Sequence, residues 1–420
     1  MKIQSALDKL FSLHQFGMKL GLDNTFNLLE QIGNPHKNLK AFHVAGSNGK
    51  GSTASFIASI LMEAGYKVGL YTSPHFRIYN ERIRINGKMI NDEYVAAFIA
   101  SLEEYIEKNS PTFFEITTAL AFKYFEEQHV DYAVIETGLG GRLDATNVIH
   151  PIASVITSIS LEHTQHLGNT IEKIAFEKAG IIKSNSIVFT GRVPVEAKKV
   201  FEETASQCGS KYFPIDNYLK MEKERVVITC KEKLFSLYFT PLQGDHQLLN
   251  AALAIKIVDE CLSLKNGLVY SNGIKNVINN TGIEGRYEIV NARPKIIFDS
   301  AHNLEGITSF IEEFSKEYKS YSERVLVFGA MRDKAIDEML LALKPYFTTI
   351  YVTKIDIDRS ATTEELRTIA SSVGVEVNSL KDPVSFVNGF FGRSNNQCLV
   401  VLGSMYLLGE IKSQMFKEKA

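Results

Sequence analysis

The chain has 420 residues, 46 basic and 48 acidic side chains, a formal charge of −2 and a hydrophobic fraction of 45%. At roughly 150 residues per domain, that length points to two or three domains with ample material for a core. Near-neutrality argues against a broad nucleic-acid surface, and no uncharged apolar run reaches the roughly 20 residues of a membrane helix. Cys208, Cys230, Cys261 and Cys398 are scattered and form neither a zinc nor a disulfide pattern. The opening Met1-Lys2-Ile3-Gln4 meets Asp8 and Lys9 before any apolar stretch, unlike a secretion signal, so a soluble cytoplasmic protein is expected.

In chain order, strands are predicted at 41–45, 67–72, 132–135, 153–158 and 186–189, with helices at 51–64, 92–108 and 114–127 between them. Such alternation predicts a parallel sheet with helices on both faces. The stretch 208–243 reads as a small antiparallel insertion, through Arg225–Cys230 and Leu234–Phe239. A second α/β run follows, with strands at 295–298, 325–328, 349–353, 375–377 and 398–402. Its helices are predicted at 304–318, 335–343, 363–372 and 405–417. The segment Ile283-Glu284-Gly285-Arg286 is the expected boundary, giving domains 1–286 and 287–420.

The strongest motif is Ala45-Gly46-Ser47-Asn48-Gly49-Lys50-Gly51-Ser52-Thr53, after a buried strand and at the start of a helix. Glycines let a backbone wrap a phosphate, and a helix N-terminus adds aligned N–H groups. In this Walker A variant Lys50 reaches the terminal phosphates and the Ser52 hydroxyl meets Mg²⁺. A glycine-rich turn with a surface lysine is the alternative. Tyr132-Ala133-Val134-Ile135 runs into Glu136, an acid at a strand end beside a P-loop, which suits a metal-holding role.

Further blocks carry a resemblance: Tyr71-Thr72-Ser73-Pro74-His75, Glu136–Asn147, His163-Thr164, Glu177-Lys178-Ala179-Gly180-Ile181, Gly285-Arg286 and Asp299-Ser300-Ala301-His302-Asn303. With the P-loop, and in this order, they resemble folylpolyglutamate synthases, some of them also dihydrofolate synthases, within the Mur ligase superfamily. The likeness runs from about residue 20 to 410. It implies an α/β fold: a P-loop-containing central domain with a parallel sheet, then a smaller Rossmann-like domain.

The resemblance implies that Gly49, Lys50, Gly51, Ser52, Asn250, Arg286 and Asp299 bind ATP. It implies that Ser52, Ser73, Glu136, His163 and Lys178 hold two Mg²⁺ ions, with Lys178 carbamylated. Lys50, Glu136, His163 and Lys178 carry the catalytic roles. Lys19, Leu20, Gly21, Leu22, then Thr112, Phe113, Phe114, Glu115, then Leu143, Asp144, Ala145, match segments that contact the pterin substrate. His302 and Ser404 are where the incoming glutamate is sought. Mg²⁺ prefers oxygen ligands, so from sequence alone a loop histidine such as His163 is more often structural. Lys178 has the alternative of a helix-surface lysine paired with Glu177 or Glu172, and Asp299 that of a helix N-cap. Ser47, Glu162, Ser300 and Leu304 depart from the usual Thr, Asp, Gly and Pro; Ser300 and Leu304 bear most on His302.

The implied reaction is ATP-dependent addition of L-glutamate to folate, and also to dihydropteroate, through an acyl phosphate, with release of ADP and phosphate. The substrates are small molecules, and the family is commonly monomeric. Another Mur-type amino-acid ligase, or a P-loop NTPase switch, remains as the alternative.

Overall fold

Strand β1, Ala41–Ala45, is buried along its whole length and forms the spine of the first sheet in the computed structural model. The structure describes residues 3–13, 21–222, 225–231 and 233–415. Around β1 stand β2 (Val68–Tyr71), β3 (Ile83–Ile85), β4 (Lys88–Met89), β5 (Tyr132–Glu136), β6 (Ala153–Ile156), β7 (Ile187–Thr190) and β8 (Lys211–Pro214), in the order β4-β3-β2-β5-β1-β6-β7-β8. Pairing is parallel from β2 to β8, and the β3–β4 hairpin adds an antiparallel edge. Strands covered on both faces need continuous apolar runs, which explains Ala-Phe-His-Val-Ala with a single polar member. The helix Lys50–Glu63 follows β1 and is buried from Ser52 to Leu61. Its short hydroxyls keep it packable on all sides: Ser59 Oγ donates to the Gly273 carbonyl at 2.6 Å.

A separate sheet holds β9 (Leu219–Glu222), β10 (Arg225–Thr229) and β11 (Leu234–Leu237), antiparallel throughout. Lys211–Pro214, read from sequence as part of that antiparallel stretch, instead joins the main sheet in parallel with β7. Stacking of Phe213 on Phe189, with centroids 5.1 Å apart, favours that partner.

The third sheet has β12 (Glu288–Ala292), β13 (Lys295–Phe298), β14 (Glu323–Phe328), β15 (Thr349–Val352), β16 (Asn378–Ser379) and β17 (Gln397–Leu402). Its order is β12-β13-β17-β14-β15-β16, and only β12 runs antiparallel. The strand predicted at 375–377 is absent. Val375 N bonds to Ala370 O, closing the helix end at Gly374, so pairing with β15 begins only at Asn378. The helix predicted over 92–108 is two, Asp92–Ser101 and Glu103–Asn109, because Leu102 bonds back to Ile99 and leaves the helical track.

The chain divides into two compact units, Met1–Pro241 with Leu248–Ile283, and Leu242–Gln247 with Glu284–Ala420. The division at Ile283/Glu284 lies within the expected boundary segment Ile283-Glu284-Gly285-Arg286. Glu284 is fixed within the second unit by Lys412 at 2.8 Å, and Gly285 N by Glu288 at 2.9 Å. No helix among the described residues is long and apolar enough to cross a membrane.

Candidate active site

The phosphate loop leaves the C-terminal end of β1, where parallel sheets expose ligand-binding loops. Gly49 sits at φ +81 as N-cap of the helix Lys50–Glu63, and a Cβ there would lie 2.7 Å from the Asn250 side-chain oxygen. Only glycine suits both the left-handed backbone and the close approach. Asn250 is thus against the loop. Lys50 Nζ donates to Gly46 O at 2.8 Å and Ser47 O at 3.0 Å.

The segment after β6 knits to the same loop, a contribution that reading the sequence missed. Asn48 N donates to Ser158 Oγ at 2.9 Å, Thr157 Oγ1 donates to Asn48 O at 2.5 Å, and Ser160 N donates to Ser47 Oγ at 3.0 Å. The signal was the hydroxyl-rich run Thr157-Ser158-Ile159-Ser160 at a strand end. Ser47, in place of the usual Thr, retains the oxygen this contact needs.

Lys178 lies on the helix Ile171–Ala179 yet is only 1% exposed. It is no surface lysine, and its partner is neither Glu177 nor Glu172. Its Nζ donates to Gly46 O at 2.9 Å and to Glu162 Oε1 at 2.8 Å. Lys50 and Lys178 therefore converge on one carbonyl. Burial alone would raise the Glu162 carboxyl, but the charges of Lys178 and Lys50 prevail and hold it at about 2. Burial pushes the Lys178 amine below the usual lysine range, against the pull of Glu162. Glu177 instead pairs with Arg142 at 2.9 Å.

Glu136 closes β5, is 4% exposed, and accepts from Ser73 N at 3.0 Å, so two of the expected metal ligands meet. Ser52 Oγ is buried without a hydrogen-bond partner, a state that a metal or phosphate ligand would relieve. His163 occupies the left-handed region at φ 45, as N-cap of the helix Thr164–Leu167, with its charge felt by Glu162. Among the described residues no three His, Cys, Asp or Glu side chains gather to hold a metal. The expected ligands include only Glu136 and His163 of those types. The rest are hydroxyls and Lys178, which becomes an anionic oxygen ligand only when carbamylated. The donor set fits Mg²⁺ on that condition.

The expected acceptor segments also come together. Phe114 packs over Gly138, where a Cβ would lie 2.5 Å from its ring. Phe113 stacks on Phe11 at 5.7 Å, with the Arg82 guanidinium 5.1 Å from its centroid. Thr112 and Glu115 spend their side chains on a capping box: Thr112 N donates to Glu115 Oε2 at 2.6 Å, and Glu115 N to Thr112 Oγ1 at 3.2 Å. They shape this segment, in which Phe113 is buried in the core and Phe114 is partly buried against it. Asp144 is buried, and Ala145 starts the short helix Ala145–Val148. Gly21 and Leu22 precede the helix Asp23–Gln31, while Lys19 and Leu20 lie outside the described residues.

In the second unit, Asp299 follows β13 and is no helix cap; Asn303 caps the helix Leu304–Phe314 through Gly306 N at 2.8 Å. Asp299 instead accepts from Tyr287 N at 2.6 Å and Ala301 N at 2.8 Å, and burial raises its carboxyl. Arg286 donates to the Ser300 hydroxyl and to Gly285 O at 3.1 Å. The departure at Ser300 thus gives Arg286 an anchor that a glycine lacks. His302 Nδ1 lies 2.9 Å from Ser300 O, and the Gly403 N to Ala301 O bond of 3.0 Å brings Ser404 beside that loop. Leu304 is half-exposed at the first helical position, and nothing in the structure explains it.

Residues 44–258 match the Mur ligase middle domain, and residues 285–405 match the Mur ligase glutamate ligase domain. A Bacillus subtilis protein described as dihydrofolate synthase/folylpolyglutamate synthase is 36% identical over 419 residues, covering 96% of each chain. The chain belongs to the folylpolyglutamate and dihydrofolate synthase family of Mur ligases. Escherichia coli FolC, solved with DHPP and ADP, superposes with a TM-score of 0.90 at 29% identity, covering 100% of this chain and 99% of that one. A bifunctional folylpolyglutamate synthase/dihydrofolate synthase solved with Mn, AMPPNP and L-glutamate gives a TM-score of 0.86 at 27% identity, covering 99% and 98%. The two-unit α/β architecture is that of this Mur ligase family.

Proposed function

We propose that the protein is an ATP-dependent ligase that joins L-glutamate to folate and to dihydropteroate, with release of ADP and phosphate. The observation that carries the reading is the convergence of Lys50 and Lys178 on the Gly46 carbonyl, in a loop that also abuts Asn250. Relatives bearing both activities in their names, similar along nearly their whole length, support the two acceptors.

A carboxylate is a poor acyl donor because its leaving group is an oxide. Transfer of the ATP γ-phosphoryl group to the acceptor carboxylate makes an acyl phosphate, which the glutamate amine then attacks to expel phosphate. The protein's work is positioning and charge neutralisation. Lys50 exchanges the Gly46 and Ser47 carbonyls for phosphate oxygens, and the N–H groups at the start of its helix face the same charge. Asn250, against Gly49, fixes the nucleotide side of the loop. Ser52, Ser73 and Glu136 would hold one Mg²⁺ ion, and Glu136, His163 and carbamylated Lys178 a second; bound there, the ions would supply charge neutralisation for the phosphoryl oxygens. A depressed Lys178 amine favours carbamylation, which needs the neutral form. Gly51 keeps the first helical turn free of side-chain bulk beside the phosphates.

Phe114, backed by the buried Phe113, and the 143–145 segment form the acceptor side, where an aromatic face suits a flat pterin ring. Arg286 and Asp299 serve the nucleotide, and His302 and Ser404 the incoming glutamate. The reading includes a monomeric cytoplasmic enzyme acting on small molecules. Assaying ADP release with ATP and L-glutamate, with dihydropteroate and tetrahydrofolate offered separately, tests it; turnover with neither acceptor refutes it.

A further inference from the structure

Strand β1 carries one polar side chain in an otherwise apolar run. His43 is fully buried, between Ile135 of β5 and Ser154 of β6 in register. Its Nε2 lies 2.7 Å from Thr146 Oγ1, and Thr146 Oγ1 lies 2.5 Å from Asp144 Oδ1. The direction of this chain is fixed by chemistry. Burial raises the Asp144 carboxyl, yet both of its oxygens face donors only, so Thr146 donates to Asp144 and must itself accept from His43, whose proton is therefore on Nε2. The bare Nδ1 agrees, being buried with no partner. Leaving one imidazole nitrogen unsatisfied in a sheet core is unfavourable, so the histidine is poorly explained by packing.

The far end of the chain organises a loop. Asp144 Oδ2 accepts from Gly138 N at 2.9 Å and Leu139 N at 2.8 Å, while Oδ1 accepts from Thr146 N at 3.0 Å as well as from its hydroxyl. Both oxygens are filled from within the loop, and little of a carboxylate's roughly four acceptor sites is left for a ligand. Asp144 therefore serves the acceptor side by holding residues 138–147 in shape. The same strand passes from His43 to the phosphate loop within three residues.

We infer that His43 and Thr146 are positioning residues for the acceptor, fixing the 138–147 loop through Asp144 on the strand that carries the phosphate loop. This inference rests on the proposed function, which makes that loop the acceptor side. Burial, reinforced by the Lys183 charge, keeps the imidazole neutral down to about 3, so the donor arrangement is maintained at working pH.

The test compares the wild-type enzyme with Thr146→Val, which keeps the shape and loses the hydroxyl, and Thr146→Ser, which restores it. The acceptor KM should rise about tenfold in the valine variant, the size of one lost charge-assisted hydrogen bond, with the ATP KM changed by less than about twofold. The serine variant should recover the wild-type acceptor KM. An unchanged acceptor KM in Thr146→Val, a parallel rise in both constants, or no recovery with serine overturns the inference. Hydrogen exchange at Gly138 and Leu139 judges the chain without turnover: faster exchange in Thr146→Val supports it, and unchanged exchange overturns it. A wild type inert towards both acceptors refutes the proposed function instead, and the exchange measurement still decides the chain.

Discussion

Lys178 and Glu162 form an ion pair of 2.8 Å with 2% and 5% of their side chains exposed. In the uncarbamylated protein, removing one partner strands the other charge in the interior, so there Glu162→Ala should cost about 3–5 kcal/mol in urea unfolding. Lys178→Ala should be nearly inactive and partly rescued by short carboxylic acids, which can stand where the carbamate oxygens would. Normal turnover by Lys178→Ala would show that no carbamate is needed.

Lys50→Ala removes the only ammonium within the phosphate loop itself. ATP-dependent phosphate release should fall to background while the fold, read by thermal unfolding, is retained. Substantial turnover in this variant contradicts the role given to the loop.

Gly49→Ala introduces a Cβ at 2.7 Å from Asn250 Oδ1 and forces a side chain onto φ +81. The backbone strain alone is about 1–3 kcal/mol. Titration calorimetry should show ADP binding weakened at least about tenfold. The double change Gly49→Ala with Asn250→Ala removes the collision but not the strain, so affinity should stay low. Full affinity in the single variant shows that the loop does not grip the nucleotide.

Two histidines, His43 fully buried and His246 partly buried, set a direction for acid stability. Burial holds His43 at about 3 and, with the charge of Arg286 adding, His246 at about 4, both below the ordinary 6.5. Between those values and 6.5 the unfolded chain binds protons that the folded one refuses, so stability rises with pH there and is lost as pH falls. Urea midpoints should decline from pH 6.5 towards 4, with losses on the order of a few kcal/mol. His246→Gln should flatten part of that slope. An equally steep slope in that variant removes His246 from the account.

Much of the fold was legible because its signals are local. The strand 41–45, the P-loop and the helix behind it follow from an apolar run, glycine spacing and helical period, and the observed strand is Ala41–Ala45. Non-local pairing was not legible. Nothing within Lys211–Pro214 says that its partner is Ile187–Thr190 rather than the following hairpin. At the site, single positions such as Lys50 and Lys178 stood out by motif, but their partners did not. Glu162 drew notice only as a substitution, and Thr157 and Ser158 read as the last residues of a strand over 153–158, whereas the strand ends at Ile156. Their roles depend on β1 and β6 being neighbours, a property of the assembled sheet. His43 and Thr146 are 103 positions apart, so neither predicts the other from sequence.

The most direct test of the central claim is the rate of ADP release by the purified protein at saturating ATP, with and without L-glutamate, for dihydropteroate and for tetrahydrofolate in turn. Release should require both glutamate and an acceptor, with one glutamate joined per ADP. ADP release that proceeds equally without glutamate, or without any acceptor, would contradict it.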